Sequence, residues 1–407
     1  MAREGYPRPL RDGQWYVVGA VVGSGIVTAI QVGKAAVATP MLQKDLGLDL
    51  AAAGWLTGTF AILGVVGGIP AGALVARAGD RRILILGLAS LMMGAVMGAT
   101  ASGYALLLAS RVLEGFGFLL VTVAGPAMLN RVVRSEQRDV ALALWSCFMP
   151  AGMALAMLVG TLFSDWRALW WASAGLAALA IISVWMVIPA APKRIAASLR
   201  RPMSGAMHVA ASKGPLLLAG CFTLYSLMFF ALFSFLPVLL MERMRIPHAA
   251  AGSLSALATA SNIIGNVAAG YLLAGGARRA VLLVTANLIM GLSSLGIFLE
   301  VFADTPTLLL CVLFAGVGGL IPATLISSAP MLAPSAALTP VVIGLVMQGS
   351  NLGQVIGPVA VGRAIETYGW AAAVAIVLTS ALVAAIAAVS IGFDDSTVAE
   401  TLSEGDN

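Results

Sequence analysis

Apolar residues fill this chain in runs of about 20 or more, separated by short polar connectors. The runs lie near residues 15–40, 51–75, 83–101, 104–130, 140–163 and 168–189, then near 215–240, 249–274, 280–302, 306–332, 341–364 and 370–392. At a rise of 1.5 Å per residue each is long enough to cross the hydrocarbon of a bilayer as one helix. The pattern therefore predicts twelve transmembrane helices in two sets of six. A polar stretch over 192–214, with Lys193, Arg194, Arg200, Arg201 and Lys213, divides them and reads as a linker.

Composition agrees with the pattern. Hydrophobic residues make up 60% of the 407 and charged residues 10%, against about 25% charged in an average soluble chain. So few charges do not cover a water-facing surface, which makes the lipid bilayer a partner of most of the chain. The net charge of +5 does not point to nucleic acid, because its bases fall in the connectors rather than on a folded surface. Cys147, Cys221 and Cys311 all lie inside apolar runs, form no CxxC pair and do not cluster with His208 or His248. Disulfide and zinc readings are both poor, and no cofactor is expected. Arg3, Arg8 and Arg11 before the first run superficially resemble the start of a secretory signal. The run from Trp15 is too long for one and reads as an uncleaved first helix.

Lysine and arginine collect on the cytoplasmic side of membrane proteins. With the N-terminus inside, sixteen of the 23 bases fall in cytoplasmic segments: the tail 1–14, Arg77, Arg81 and Arg82, Arg131, Arg134 and Arg138, the linker, and Arg278 and Arg279. Five fall on the other side: Lys44, Arg167, Arg243, Arg245 and Arg363. Both termini, including the acidic tail 393–407, are therefore expected in the cytoplasm. The expected units are a tail (1–14), a six-helix bundle (15–191), the linker, a second six-helix bundle (215–392) and the acidic tail.

The two halves also resemble each other. Ala51, Ala52, Ala53, Gly54, Leu56, Gly67, Ala71, Gly72, Leu74 and Ala76 recur 198 positions later. Their counterparts are Ala249, Ala250, Ala251, Gly252, Leu254, Gly265, Ala269, Gly270, Leu272 and Ala274. Each copy spans the second helix of its half and is followed by an arginine pair. Duplicated helical units of this kind build transporters whose substrate path runs along the interface of the repeats.

Between the second and third runs stand Gly72, Leu74, Arg77, Gly79, Asp80, Arg81 and Arg82, a stretch that resembles the loop signature of the major facilitator superfamily. Arg111, Glu114, Gly115 and Gly117 in the fourth run are similar to that family's fourth-helix motif. The resemblance implies an all-α fold of twelve helices in two pseudo-symmetric six-helix bundles, a secondary transporter working by alternating access, and gating by Gly72, Arg77, Gly79, Asp80 and Arg81. The family usually has an aspartate, which latches the cytoplasmic side, where this chain has Ala76. Asp80 can substitute in part by approaching a helix N-terminus. The fifth run lacks the Gly-Pro-x-x-Gly-Gly sequence of many drug/proton antiporters. Its Pro150, with Trp145, Trp166, Arg167, Trp170 and Trp171, looks instead like the branch containing cyanate and related small-molecule transporters.

Charges inside hydrocarbon cost roughly 2.5–3.5 kcal/mol each on insertion scales, so each needs a partner or water. Three sit deep: Lys34, Arg111 and Glu114. Counted from their span ends, Lys34 and Arg111 share a level about 10 Å from the outer face. Glu114 lies three residues after Arg111, on the same helix face. In the fold the resemblance implies, spans one and four line the central cavity, so the trio would hold net charge +1 and favour an anionic substrate such as a carboxylate. The competing reading is a structural ion-pair lock between helices. Glu114 is the only acidic residue well inside a run, which makes it the candidate for coupling to H+. Gln31, Tyr225, Gln348 and Asn351 are the further substrate-contact candidates. Asn266 and Gln354 fit helix-to-helix hydrogen bonding better, Asn262 suits either role, and Phe229, Phe230, Phe233 and Phe235 fit packing. Gly316, Gly318, Gly319 and Pro322 fit close helix contact or bending, and Pro358 a loosened helix.

These readings converge on a monomeric multi-pass plasma-membrane transporter, in a bacterial inner membrane, moving a small anionic solute. Drug or metabolite efflux by proton antiport is the alternative. No nucleophile, base and orienting group gather at a membrane face and no phosphate-cradling loop appears, so an enzyme or ATP-driven reading finds no support.

Overall fold

The computed structural model describes residues 15–133, 138–188, 212–333 and 338–393. The expectations placed on the tail 1–14, on Arg134, on Lys193, Arg194, Arg200 and Arg201 of the linker, on His208 and on the acidic tail lie outside the described residues.

Within the described residues the regular structure is helical. The first half holds α1 (Trp15–Leu46), α2 (Leu50–Gly58), α3 (Ile62–Ala78), α4 (Asp80–Ala99), α5 (Tyr104–Val132), α6 (Arg138–Ser146), α7 (Phe148–Gly160) and α8 (Trp166–Val187). The second holds α9 (Lys213–Phe233), α10 (Leu236–Met244), α11 (His248–Ala274), α12 (Arg279–Phe298), α13 (Asp304–Gly318), α14 (Leu320–Leu332), α15 (Thr339–Tyr368) and α16 (Ala371–Ser390). Each expected span has its helix or helix pair. Four spans are broken: the second by a 3-10 turn over Thr59–Ala61, the fifth at Cys147, the seventh after Phe233 and the tenth at Gly319. The glycines of the tenth thus mark a break, whereas α15 continues through Pro358.

Ten segments are long and apolar enough to cross a membrane by length and composition. The other two expected spans are the fifth, whose apolar helix covers Leu144–Gly160, and the eleventh, α15, which Gln348, Asn351 and Gln354 make more polar. A helix packed between protein neighbours does not need lipid-grade hydropathy. Large apolar side chains such as Val66, Ile264, Trp185 and Ile386 stand exposed on the outside of the bundle, where acyl chains replace water.

Local chemistry sets the helix ends. Asp49 and Asp165 cap α2 and α8 by accepting from the amides of Ala52 (2.7 Å) and Arg167 (3.0 Å). Gly79, at φ +86°, makes the turn between α3 and α4 in a backbone region that side chains avoid.

In the first half α1 packs on α5, α7 and α8, and α4 on α5 and α8. In the second, α9 packs on α15 and α16, α11 on α13, and α12 on α16. The halves meet where α2 and α3 pack on α15 and where α7 packs on α11. Two of the duplicated glycines, Gly54 and Gly252, sit at these crossings. A Cβ on Gly54 would strike the Pro358 carbonyl of α15, and one on Gly252 would strike Thr161 and the Met157 carbonyl beside it. Within the halves, Gly67 opposes Leu119 of α5, and Gly265 opposes the Gly316 carbonyl of α13.

Hydrogen bonds between the halves gather at the end of the bundle that holds the α1–α2 loop. There the Leu50 amide donates to Glu366 Oε2 (3.2 Å), and His248 Nε2 lies 2.8 Å from the Val37 carbonyl oxygen. Deeper in, Thr259 Oγ1 donates to Met157 Sδ (3.3 Å). At this end the halves are closed on each other.

Candidate transport site

Lys34, Arg111 and Glu114 form one network with no solvent exposure. Lys34 comes from the middle of α1, and Arg111 and Glu114 from one face of α5. The Glu114 carboxylate bridges the two cations: Oε1 accepts from Lys34 Nζ (2.6 Å) and Oε2 from Arg111 Nη1. Lys34 Nζ also donates to Gln31 Oε1 (2.6 Å) and to Ser173 Oγ of α8 (3.1 Å), so its three N–H groups are all engaged. Its ammonium stands 4.5 Å from the Trp170 ring centroid, a cation–π contact that recovers part of the lost hydration.

Two of the three guanidinium nitrogens of Arg111 are engaged. Its Nε donates to the Leu56 carbonyl (2.9 Å) and its Nη1 to the Gln31 carbonyl (2.8 Å) and Glu114. Nη2 is buried with no partner, and the guanidinium carbon lies 4.5 Å from the Phe60 ring centroid. With the carboxylate ionised the network carries net charge +1 and holds two unused N–H donors on Nη2.

Gln31 joins the network through both ends of its amide, since its Nε2 reaches the Ser173 carbonyl (3.3 Å). The other substrate-contact candidates lie elsewhere. Tyr225 is buried in the second half, where its hydroxyl accepts from Asn262 Nδ2 (3.1 Å) and Asn262 in turn receives Asn266. Its ring continues into Phe222, Phe229 and Phe233. Asn351 faces Gly64 and Gln348 faces Gly68, both across the α3–α15 seam between the halves. Asn351 Nδ2 donates to the Met347 carbonyl (2.9 Å), while its Oδ1 is buried without a partner. Among the described residues no hydrogen bond joins these three sets.

Among the gating candidates, Gly72 and Arg77 lie on α3 and Gly79 forms its C-cap. Asp80 is the first residue of α4 and pairs bidentately with Arg131 at the end of α5, at 2.5 and 3.0 Å. It therefore sits at the N-terminus of its own helix, and its partner belongs to the same half. Arg81 Nη2 donates to the Trp185 carbonyl near the end of α8 (2.6 Å).

Sequence reasoning did not single out Ser173 or Phe60, and Trp170 entered it for another reason. Ser173 stands three residues after Trp170 on one face of α8, one of two serines on a helix that is apolar beyond Arg167. That spacing is the signal that would have found it.

Comparisons with known proteins bear on the whole chain. A family model described as Major Facilitator Superfamily matches residues 21–275. The multidrug transporter mfsC of Aspergillus fumigatus is 31% identical over 161 residues, which cover 39% of this chain and 31% of that protein. The probable 4-methylmuconolactone transporter of Cupriavidus pinatubonensis is 33% identical over 127 residues, 31% of this chain and 30% of that protein. The matched stretches thus span under a third of each relative. A solved structure of a bacterial homologue of the human lysosomal transporter Spinster, in an inward-facing and occupied conformation, aligns with a TM-score of 0.74. That alignment covers 94% of this chain and 96% of the other at 18% identity, a likeness of fold. The all-helical span pattern, the paired halves and a family match over more than half of its length agree: the chain belongs to the Major Facilitator Superfamily.

Proposed function

We propose that the protein is a secondary transporter that moves a small anionic solute, such as a carboxylate, by alternating access, with Glu114 as the proton-coupling group. The observation that carries the anion reading is the unpartnered Nη2 of Arg111, a cationic donor held in a fully buried network of net charge +1. A buried guanidinium nitrogen with two free N–H groups is a charge-assisted donor for an oxygen of an anion such as a carboxylate. Coupling follows from the same atoms. Protonating Glu114 removes the carboxylate that neutralises one of the two cations, and so strengthens the site for an anion. Gln348 and Asn351 on the seam between the halves, and Tyr225 in the second half, complete the proposed contact set. Gly72, Arg77, Gly79, Asp80 and Arg81 form the proposed gate.

The positive-charge distribution supports placing both termini in the cytoplasm and the closed α1–α2 end outside. The Pro150 and tryptophan pattern supports a place near the cyanate-type branch. The multidrug assignment of the Aspergillus relative favours a second reading, efflux of a drug or metabolite against protons.

Thermal unfolding of the purified protein with acetate, nitrate and a cationic drug separates these readings, because a ligand of the native state raises the melting temperature. Acetate or nitrate should stabilise the wild type, and Lys34→Gln, which makes the network neutral, should remove that effect. Stabilisation by the cationic drug alone would favour efflux instead.

A further inference from the structure

We infer that Phe60 is the seal of the buried cation network, and that movement of the second half against α2 and α3 lifts it. The inference rests on the proposed anion site, because it assigns what controls access to Arg111. Three observations carry it. First, Phe60 lies against the Arg111 guanidinium. Its ring centroid is 4.5 Å from the guanidinium carbon, the residue is 1% exposed, and a T-shaped contact with Phe118 (5.0 Å between centroids) holds the ring in place. The guanidinium nitrogen with no partner therefore meets protein rather than water.

Second, Phe60 is the middle residue of the 3-10 turn that interrupts the second span, where the Ile62 amide reaches back to the Thr59 carbonyl. A 3-10 turn inside a long helix often marks a hinge, since its hydrogen bonds are poorer than the α-helical ones around it. No proline lies in the turn; the proline of α3 is Pro70. One turn earlier, the Leu56 carbonyl accepts from Arg111 Nε. Displacing this segment therefore uncovers the guanidinium and frees its Nε–H in addition to the two on Nη2.

Third, the turn touches both halves. It packs on α5, where the Phe60 carbonyl fills the space beside Gly115, and across the seam on α15. On either side of the turn, Gly58 lies against Val355 and Gly64 against Asn351. The element that covers Arg111 thus bears on the helix that must slide when the halves rock. In the closed arrangement the ring excludes water and anion. When α15 withdraws, the turn loses its support on that side and the ring leaves the guanidinium.

The test separates the seal from the anion site by using two readouts. Ser173→Cys places a thiol inside the network, and its labelling by the anionic 2-sulfonatoethyl methanethiosulfonate, located by peptide mass spectrometry, reports access without any transported ligand. Adding Phe60→Ala should speed labelling at position 173 at least tenfold. Phe60→Leu, which keeps an apolar side chain but loses the ring face, should give an intermediate rate and serves if the alanine variant does not fold. Unchanged labelling in well-folded variants overturns the seal. Acetate binding, measured by thermal shift, should tighten several-fold in Phe60→Ala, because the free protein no longer has to open first. Faster labelling without acetate or nitrate binding in any variant keeps the seal and overturns the anion reading.

Discussion

Glu114 is the residue on which the buried network balances. Each of its oxygens serves a different cation, and each cation reaches a different neighbour: Lys34 ties α1 to Ser173 of α8, and Arg111 ties α5 to Leu56 of α2. Removing one partner from a buried ion pair typically costs about 3–5 kcal/mol, because the charge left behind stays desolvated. Glu114→Gln should therefore lower the melting temperature of the purified protein by several degrees. Lys34→Gln, which leaves the Glu114–Arg111 pair intact, should lower it less. A Glu114→Gln variant that melts with the wild type would show that the carboxylate is not the bridge. At this scale the sequence was informative about neighbours along a helix and about depth in the bilayer. The three-residue step from Arg111 to Glu114 and the common level of Lys34 could both be read by counting. Ser173 lies 139 residues from Lys34, and only the packing of α8 on α1 brings the two together.

At the scale of elements, the duplicated glycines were visible as a repeat, and the structure gives them a mechanical meaning. Gly265 lets α11 approach the Gly316 carbonyl of α13, and a methyl group there would meet backbone that has no rotamer to change. Gly265→Ala should destabilise the fold by about 1–3 kcal/mol, the usual cost of overpacking a well-filled contact. Gly270→Ala, also on α11 but facing open space, should be neutral or slightly stabilising, since alanine favours the helix. Equal melting temperatures for the two variants would refute the close-contact reading. The helix breaks were less legible. The turn at Thr59–Ala61 changes which amide meets which carbonyl while leaving an apolar run apolar, so hydropathy passes straight through it. The breaks at Cys147 and after Phe233 are hidden for the same reason, whereas the glycines around the tenth-span break announced it.

For the whole molecule, the decisive contacts are those that hold one end of the bundle shut. The Glu366 carboxylate at the end of α15 meets the first amide of α2, and His248 at the start of α11 meets the Val37 carbonyl of α1. Both contacts join the two halves, whereas Asp80 pairs with Arg131 inside one half. Sequence reading placed attention on the opposite end, at the loop around Gly79, because the family resemblance lies there. The Glu366 contact pairs residues 316 positions apart and carries no local pattern. A carboxylate at a helix N-terminus contributes about 0.3–1 kcal/mol and a hydrogen bond about 1 kcal/mol. Losing both should shift the balance between closed and open states roughly tenfold, since 1.4 kcal/mol is a factor of ten. The double variant Glu366→Gln and His248→Ala, spin-labelled at the exposed positions Leu162 and Tyr368 on either side of the seam, should show a second and longer distance at this end. If the wild-type distance distribution persists, the closed state is held by the glycine-mediated packing of α2 on α15 and of α7 on α11. In that case Gly54→Leu should produce the opening that the polar variants did not.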